Sequence, residues 1–157
     1  MYQNSTRVLK QHQVTEPKQD AIKQEIQETY NTKITYQVVK GLLNILPSPY
    51  ILIDRNGRLT FINAEAKSIV PDSQIGSHIS NVFRSPVFLS AVENAINKDK
   101  EKTLSFEIET PQFRQLKAHI FFISSSKIPN SFNDIFIQFT DESTHIRSEK
   151  IRTDFVA

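Results

Sequence analysis

Cysteine does not occur in this sequence. Its absence excludes a disulfide framework, a thiolate zinc site and a cysteine nucleophile, and it fits a reducing cytoplasm. Glycine is scarce as well, with three in the whole chain, too few for a loop that cradles phosphate. No apolar run approaches the roughly 20 residues that a bilayer-spanning helix needs. The start, Met1 to Lys10, lacks a hydrophobic stretch of the signal-peptide kind. Charge of one sign is not in excess either: 19 Lys and Arg against 17 Asp and Glu leave a formal +2, which gives no basic field of the sort that attracts nucleic acid. There is no internal repeat and no low-complexity tract. What remains is apolar bulk. Hydrophobic residues make up 38% of the 157, eleven of them Phe, enough for the core of one domain with flanking segments.

Residues 1–16 are polar and without a clear period, and read as a flexible leader. From Pro17 onward Ile22, Ile26, Tyr30, Ile34, Val38, Leu42 and Ile45 recur every three or four positions, which predicts a helix ending before Pro47 and Pro49. Unbroken, it would be about 45 Å long. That exceeds what a small domain covers, so part of it is expected to pair with another chain. Gly41 and the Val38-Val39 pair weaken its propensity, Asn31-Thr32 offers a break, and two shorter helices are the alternative. Tyr50–Asp54 and Arg58–Asn63 read as two apolar strands joined at Arg55-Asn56-Gly57, a strong turn signal. A short helix over Ala64–Val70 stops at Pro71, a further turn follows Gly76, and Ser85-Pro86 opens a clear helix as cap and first residue. Its apolar face is Phe88, Leu89, Val92, Ala95 and Ile96.

Three alternating strands follow. Leu104, Phe106 and Ile108 form one apolar face, as do Leu116, Ala118, Ile120 and Phe122, and then Ile135, Ile137 and Phe139. A polar loop, Ser124 to Asn133, separates the last two, and the chain turns helical again after Asp141. The prediction is an α+β domain: a five-stranded antiparallel sheet flanked by short helices, with a long N-terminal helix and a C-terminal helix. Phe121 and Phe136 fall on the opposite sheet face, and the N-terminal helix is the expected cover.

This order of elements resembles the PAS fold, and particular residues agree. Leu46-Pro47-Ser48-Pro49 leading into Tyr50–Asp54 resembles the PAS opening. Asp54 to Asn63 resembles the PAS hairpin with its frequent final asparagine, and Ile75-Gly76 falls where PAS domains carry a glycine before a short helix. Phe139-Thr140-Asp141-Glu142-Ser143 is similar to the Asp-Ile-Thr sequence that starts a PAS output helix, with the apolar middle residue replaced. Phe83-Arg84-Ser85-Pro86 is similar to a stretch in sensor kinases of the phosphate-regulon type. The tail Lys150 to Ala157, with Arg152, Asp154 and Phe155, resembles the run that precedes the phosphorylated-histidine box of sensor histidine kinases. The resemblance covers about residues 42–157.

The resemblance implies a sensory and dimerising module of a two-component sensor histidine kinase, in the cytoplasmic portion of a bacterial inner-membrane protein, with this fragment itself soluble. Its domains would be a leader over 1–16, a helical dimer arm over 17–46 carrying Ile34, Val38, Leu42 and Ile45, a PAS domain over 47–141, and the head of an output helix over 142–157. Asp141, Ser143, Ile151, Arg152, Asp154 and Phe155 would transmit the signal. The implied partners are a second copy and, through the parent kinase, a response regulator; an unknown small ligand or a regulatory protein also stays open, and nucleic acid does not. ATP would be used in a kinase core that lies outside this sequence.

No catalytic constellation and no metal-ligand spacing is present among the residues, so the fragment is expected to have no activity and no metal. His12, His78, His119 and His145 lie far apart, and the neighbours of His145 do not match a phosphoacceptor box. A flavin photosensor of this fold needs a reactive cysteine, and a haem sensor an axial ligand that the helix after Pro86 does not offer. No cofactor is expected. Phe61, Phe83, Phe88, Val92, Phe106 and Phe122 either line a ligand cavity or simply fill the core. Asp141 serves equally as helix cap and as switch residue, and the spacing of Thr144, Ser148, Ile151 and Phe155 fits either a weak coiled-coil seam or a solvated linker. A small-molecule receptor of another signalling protein is the alternative function; a stand-alone enzyme is disfavoured.

Overall fold

The structure, a computed structural model, describes residues 16–109, 111–122 and 134–156. Nearly all of the leader, the Ser124–Asn133 loop, His12 and Ala157 lie outside the described residues. Helix α1 runs unbroken over Glu16–Ile45. It is continuous through Asn31-Thr32, where Thr29, Thr32 and Thr35 each turn their hydroxyl back to the carbonyl four residues earlier instead of capping a break. Residues ahead of proline disfavour helical backbone, and α1 ends two positions before Pro47.

Strands β1 (Tyr50–Ile53) and β2 (Leu59–Ile62) form a hairpin. Asp54 builds its turn: one carboxylate oxygen accepts from the N–H groups of Asn56 and Arg58 at 2.8 and 2.9 Å, while Gly57, at φ 72°, supplies the left-handed residue. Short helices α2 (Ala64–Ile69) and α3 (Ile79–Val82) lead to α4 (Pro86–Lys98). Ser85 caps α4 through the Phe88 N–H, and Asp99 ends it in the left-handed conformation. Strands β3 (Lys102–Ile108), β4 (Arg114–Phe122) and β5 (Ile135–Asp141) follow, then helix α5 (Ser143–Val156).

The sheet order is β2-β1-β5-β4-β3, with every neighbouring pair antiparallel. Register aligns Ile51 with Ile137, Ile137 with Ile120, and Ala118 with Leu104, so the apolar sets of the central strands share one face. Phe88, Ala91, Val92 and Ala95 of α4 close over that face, with Ile69 and Ile79 beside them. The second face is apolar where β1, β2 and β5 meet and at Phe121 of β4, whose ring stacks on that of Phe136 with centroids 5.3 Å apart. Where the three strands meet, Leu52, Phe61 and Phe136 are covered by Leu43, Val39 and Tyr36 of α1, spaced four and three apart. The expected cover is the observed one.

Two findings differ from the pattern in the sequence. Phe61 does not join the other proposed pocket residues. A bulge leaves Thr60 unpaired between the Ile53–Leu59 and Leu52–Phe61 pairs, which turns Phe61 to the α1 side while Leu59 and Ile62 stay in the main core. On α1, the regular apolar line is not the side that docks: Ile34, Val38, Leu42 and Ile45 are 45%, 54%, 54% and 78% exposed.

Candidate functional site

The remaining proposed pocket residues divide. Phe83, Phe88 and Phe106 meet Phe139 in one cluster, with ring centroids 4.6–6.2 Å apart, and Val92 is buried in the same core. Four mutually touching rings occupy the space between sheet and helices as an interior normally does. Phe122 lies at the other end of the sheet under Arg55, whose guanidinium sits 4.2 Å from its ring centre. Arg55 also donates to the Ile96 carbonyl and pairs with Asp99, so it clamps the hairpin turn to the end of α4.

Outside the phenylalanine cluster lies an open groove of about 1090 Å³, walled by the Val70–Ser77 segment, by Arg84 and Ser85 ahead of α4, and by β3 from Ser105 onward. Phe83 and Phe106 reach its floor. Among the described residues no group of His, Asp and Glu is placed to hold a metal ion, and no helix is long and apolar enough to cross a membrane. His119 is exposed, facing away from the main core, and its ring is 5.2 Å from that of Phe121. His78 caps α3, accepting from the Ser80 N–H.

The most tightly organised polar geometry lies at the two ends where helices meet the sheet. At the exit, Asp141 closes β5. One oxygen meets Arg114 at 2.6 Å and the other accepts from the Ser143 N–H at 3.0 Å. Burial pushes this carboxyl up, but the hydrogen bonds from Ser143 and the Arg114 guanidinium outweigh it and hold it below the usual range. Gln115 of β4 braces the same corner: its N–H donates to the Ser143 hydroxyl at 2.9 Å, and its carbonyl accepts from the Glu142 N–H at 2.8 Å. The first turn of α5 is therefore fixed to two strands. Beyond it Ile151, Arg152 and Asp154 are exposed, and the side chain of Phe155 lies outside the described residues.

At the entrance the organising residue is Asn63, the last residue of the hairpin segment in the sequence. It is 1% exposed and fully bonded. Its oxygen accepts from the N–H groups of Tyr50 and Ala66, and its amide donates to the carbonyls of Leu43 and Ser48, all at 2.8–3.0 Å. The signal available in the sequence was an asparagine between a strand and a helix-forming run, a usual cap. Further along α1, the Thr60 and Tyr36 hydroxyls meet one oxygen of Asp134, at 2.8 and 3.3 Å. Burial, helped by the charge of Asp54, pushes the Asp134 carboxyl up against the opposing effects of Thr60, Tyr36 and Lys40.

The two ends are linked. The Phe139 N–H donates to the Pro49 carbonyl at 3.0 Å, joining the segment after α1 to β5 two residues before Asp141.

No family model matches the sequence, and no curated protein is similar enough in sequence to match it. Solved structures do share the fold. The PAS domain of BvgS from Bordetella pertussis superposes with a TM-score of 0.55 at 13% identity, covering 78% of this chain and 98% of that domain. A PAS domain from a two-component sensor histidine kinase gives 0.52 at 9% identity, covering 70% and 98%. The LOV protein of Rhodobacter sphaeroides gives 0.56 at 8% identity over 68% of this chain, which spans 66% of that protein's length. Likeness at such low identity speaks for architecture alone, and that architecture is plain: this chain has the PAS fold.

Proposed function

We propose that this chain is the sensory and dimerising PAS module of a bacterial two-component sensor histidine kinase of the phosphate-regulon type. Residues 17–46 are its input and dimer arm, 47–141 its PAS body, and 142–157 the head of the output helix. Two copies pair through Ile34, Val38, Leu42 and Ile45. The tail with Arg152, Asp154 and Phe155 leads to a kinase core that phosphorylates its own histidine with ATP and passes the phosphoryl group to an Asp of a response regulator. The parent sits in the inner membrane with this module on the cytoplasmic side, and the module performs no chemistry of its own.

The observation that carries this reading is the short bonded path from helix to helix: Leu43 to Asn63, Pro49 to Phe139, and Asp141 to Ser143. A small displacement of α1 moves the carbonyl that Asn63 holds and the strand end that aims α5, a change of the hinge or shear kind. Joining the chain at Ala157 to a histidine-kinase core tests it. Asp141→Ala and Arg114→Ala are each expected to change autophosphorylation by about fivefold or more, in the range of ordinary coupling energies. Rates unchanged by both substitutions would overturn the reading.

A second reading, a small-molecule receptor, is favoured by the open groove beside β3. Bound mass in native mass spectrometry, or a melting shift with ligand, supports that reading over the first.

A further inference from the structure

Gly41 stands in the interior of a regular helix, with nothing within 4 Å of the place its Cβ would occupy. The common reasons for a helical glycine do not apply. Its backbone is outside the left-handed region, and no described neighbour presses on it. Glycine is among the least favourable residues at such a position, so within one copy its presence has no structural return.

Around it lies exposed apolar surface. At about 100° per residue, Ile34, Val38, Gly41, Leu42 and Ile45 fall within an arc of about 100° on the side of α1 roughly opposite the docked Tyr36, Val39 and Leu43. The apolar line does not stay in that arc. Ile22, Ile26 and Tyr30 continue it at four-residue steps, and each such step turns about 40° further, some 200° between Ile22 and Leu42. Two helices following it throughout would wrap right-handedly, far more steeply than an eleven-residue repeat of about 3.67 per turn requires. A contact limited to one arc is instead a crossing.

Building on the dimeric reading above, we infer that the two α1 helices of the dimer cross at Gly41, backbone close to backbone, and diverge on the N-terminal side of Tyr30. The occupant of this surface is a second copy. Every residue of the arc is uncharged, so the surface meets itself across a two-fold axis without opposing like charges. Two missing Cβ atoms at the same point let the axes approach closer than the usual separation of about 8–10 Å.

The natural lack of cysteine makes the test clean. In the full chain under mild oxidation, Val38→Cys and Leu42→Cys are expected to form an intersubunit disulfide, and Ile22→Cys and Ile26→Cys are not, since the bond needs Cα atoms within about 7 Å. Gly41→Leu adds bulk where one copy has open space. It is expected to weaken the dimer about tenfold or more by sedimentation, with the circular dichroism spectrum unchanged and Gly41→Ala giving a smaller loss. Cross-linking as efficient at positions 22 and 26 as at 38 and 42, or a dimer indifferent to Gly41→Leu, overturns the crossing and leaves the dimeric reading standing. A wild-type chain that stays monomeric at high concentration overturns both.

Discussion

The side-chain amide of Asn63 donates to the backbone carbonyl of Leu43 at 2.9 Å, so the last buried turn of α1 hangs from the residue that caps α2. Without Asn63 two carbonyls and two N–H groups lose their partner in a corner shielded from water. Asn63→Ala is predicted to cost about 3 kcal/mol, the scale of one or two stranded buried groups. Asn63→Asp keeps the accepting oxygen but turns a second oxygen toward two carbonyls, and should cost at least as much. Urea denaturation of both variants checks this; a loss under about 1 kcal/mol in both contradicts it.

Asp134 makes a prediction with a definite sign. Its folded pKa is raised, chiefly by burial, so the folded state binds the proton more tightly than the unfolded chain does. The stability this contributes is present at acid pH, below the unfolded carboxylate pKa, and is lost as pH rises through the folded value. Asp134→Asn keeps an acceptor for Thr60 and Tyr36 without a half-buried charge. It is therefore predicted to be neutral or stabilising at pH 7 and to flatten that stretch of the melting-temperature profile. Destabilisation by more than about 1 kcal/mol at pH 7 would show the charge itself to be needed.

Asp141 has the opposite sign. Its pKa is lowered, so its contribution is present above the unfolded carboxylate pKa and lost as pH falls through the folded value. Asp141 and Arg114 are each about 30% exposed, and solvent screening limits their pair to about 1 kcal/mol. Asp141→Ala should lower stability by about that much at pH 7 and progressively less toward pH 3, in melts run across the range. A loss independent of pH contradicts the assignment.

Gly57 is fixed by two constraints at once. Its φ of 72° disfavours any side chain, and a Cβ there would lie 2.7 Å from His78 Nε2. Gly57→Ala is predicted to cost about 2 kcal/mol. Adding His78→Ala should recover only the steric share, a coupling that a double-mutant cycle reads directly. Strict additivity would remove the contact from the explanation.

Much of the fold was legible where one periodicity acted alone. Strand β3 and most of β4, up to Phe121, alternate because one face is buried and the other polar, and Ser85-Pro86 marked the start of α4 with a side chain that makes the cap. Phe61 was misplaced because a one-residue bulge at Thr60 inverts the alternation, and a bulge leaves no trace in a run as short as Leu59–Ile62. The docked face of α1 was hidden behind a better apolar line: Ile34, Val38 and Leu42 repeat more regularly than Tyr36, Val39 and Leu43, yet only the second set meets the sheet. Asn63 was visible as a cap, but its hold on Leu43 and Ser48 depends on how the chain turns at Pro47 and Pro49, which local sequence does not encode.

The central claim is that displacement of α1 reaches α5 through β5. Amide hydrogen exchange, resolved by residue in Leu43→Ala, tests it most directly, because this change weakens the docking of α1 while leaving the exit corner chemically intact. The account predicts faster exchange, by about tenfold, at Phe139, Glu142 and Ser143 as well as along the docked turns of α1. Faster exchange within α1, with those three amides at their wild-type rates, would contradict it.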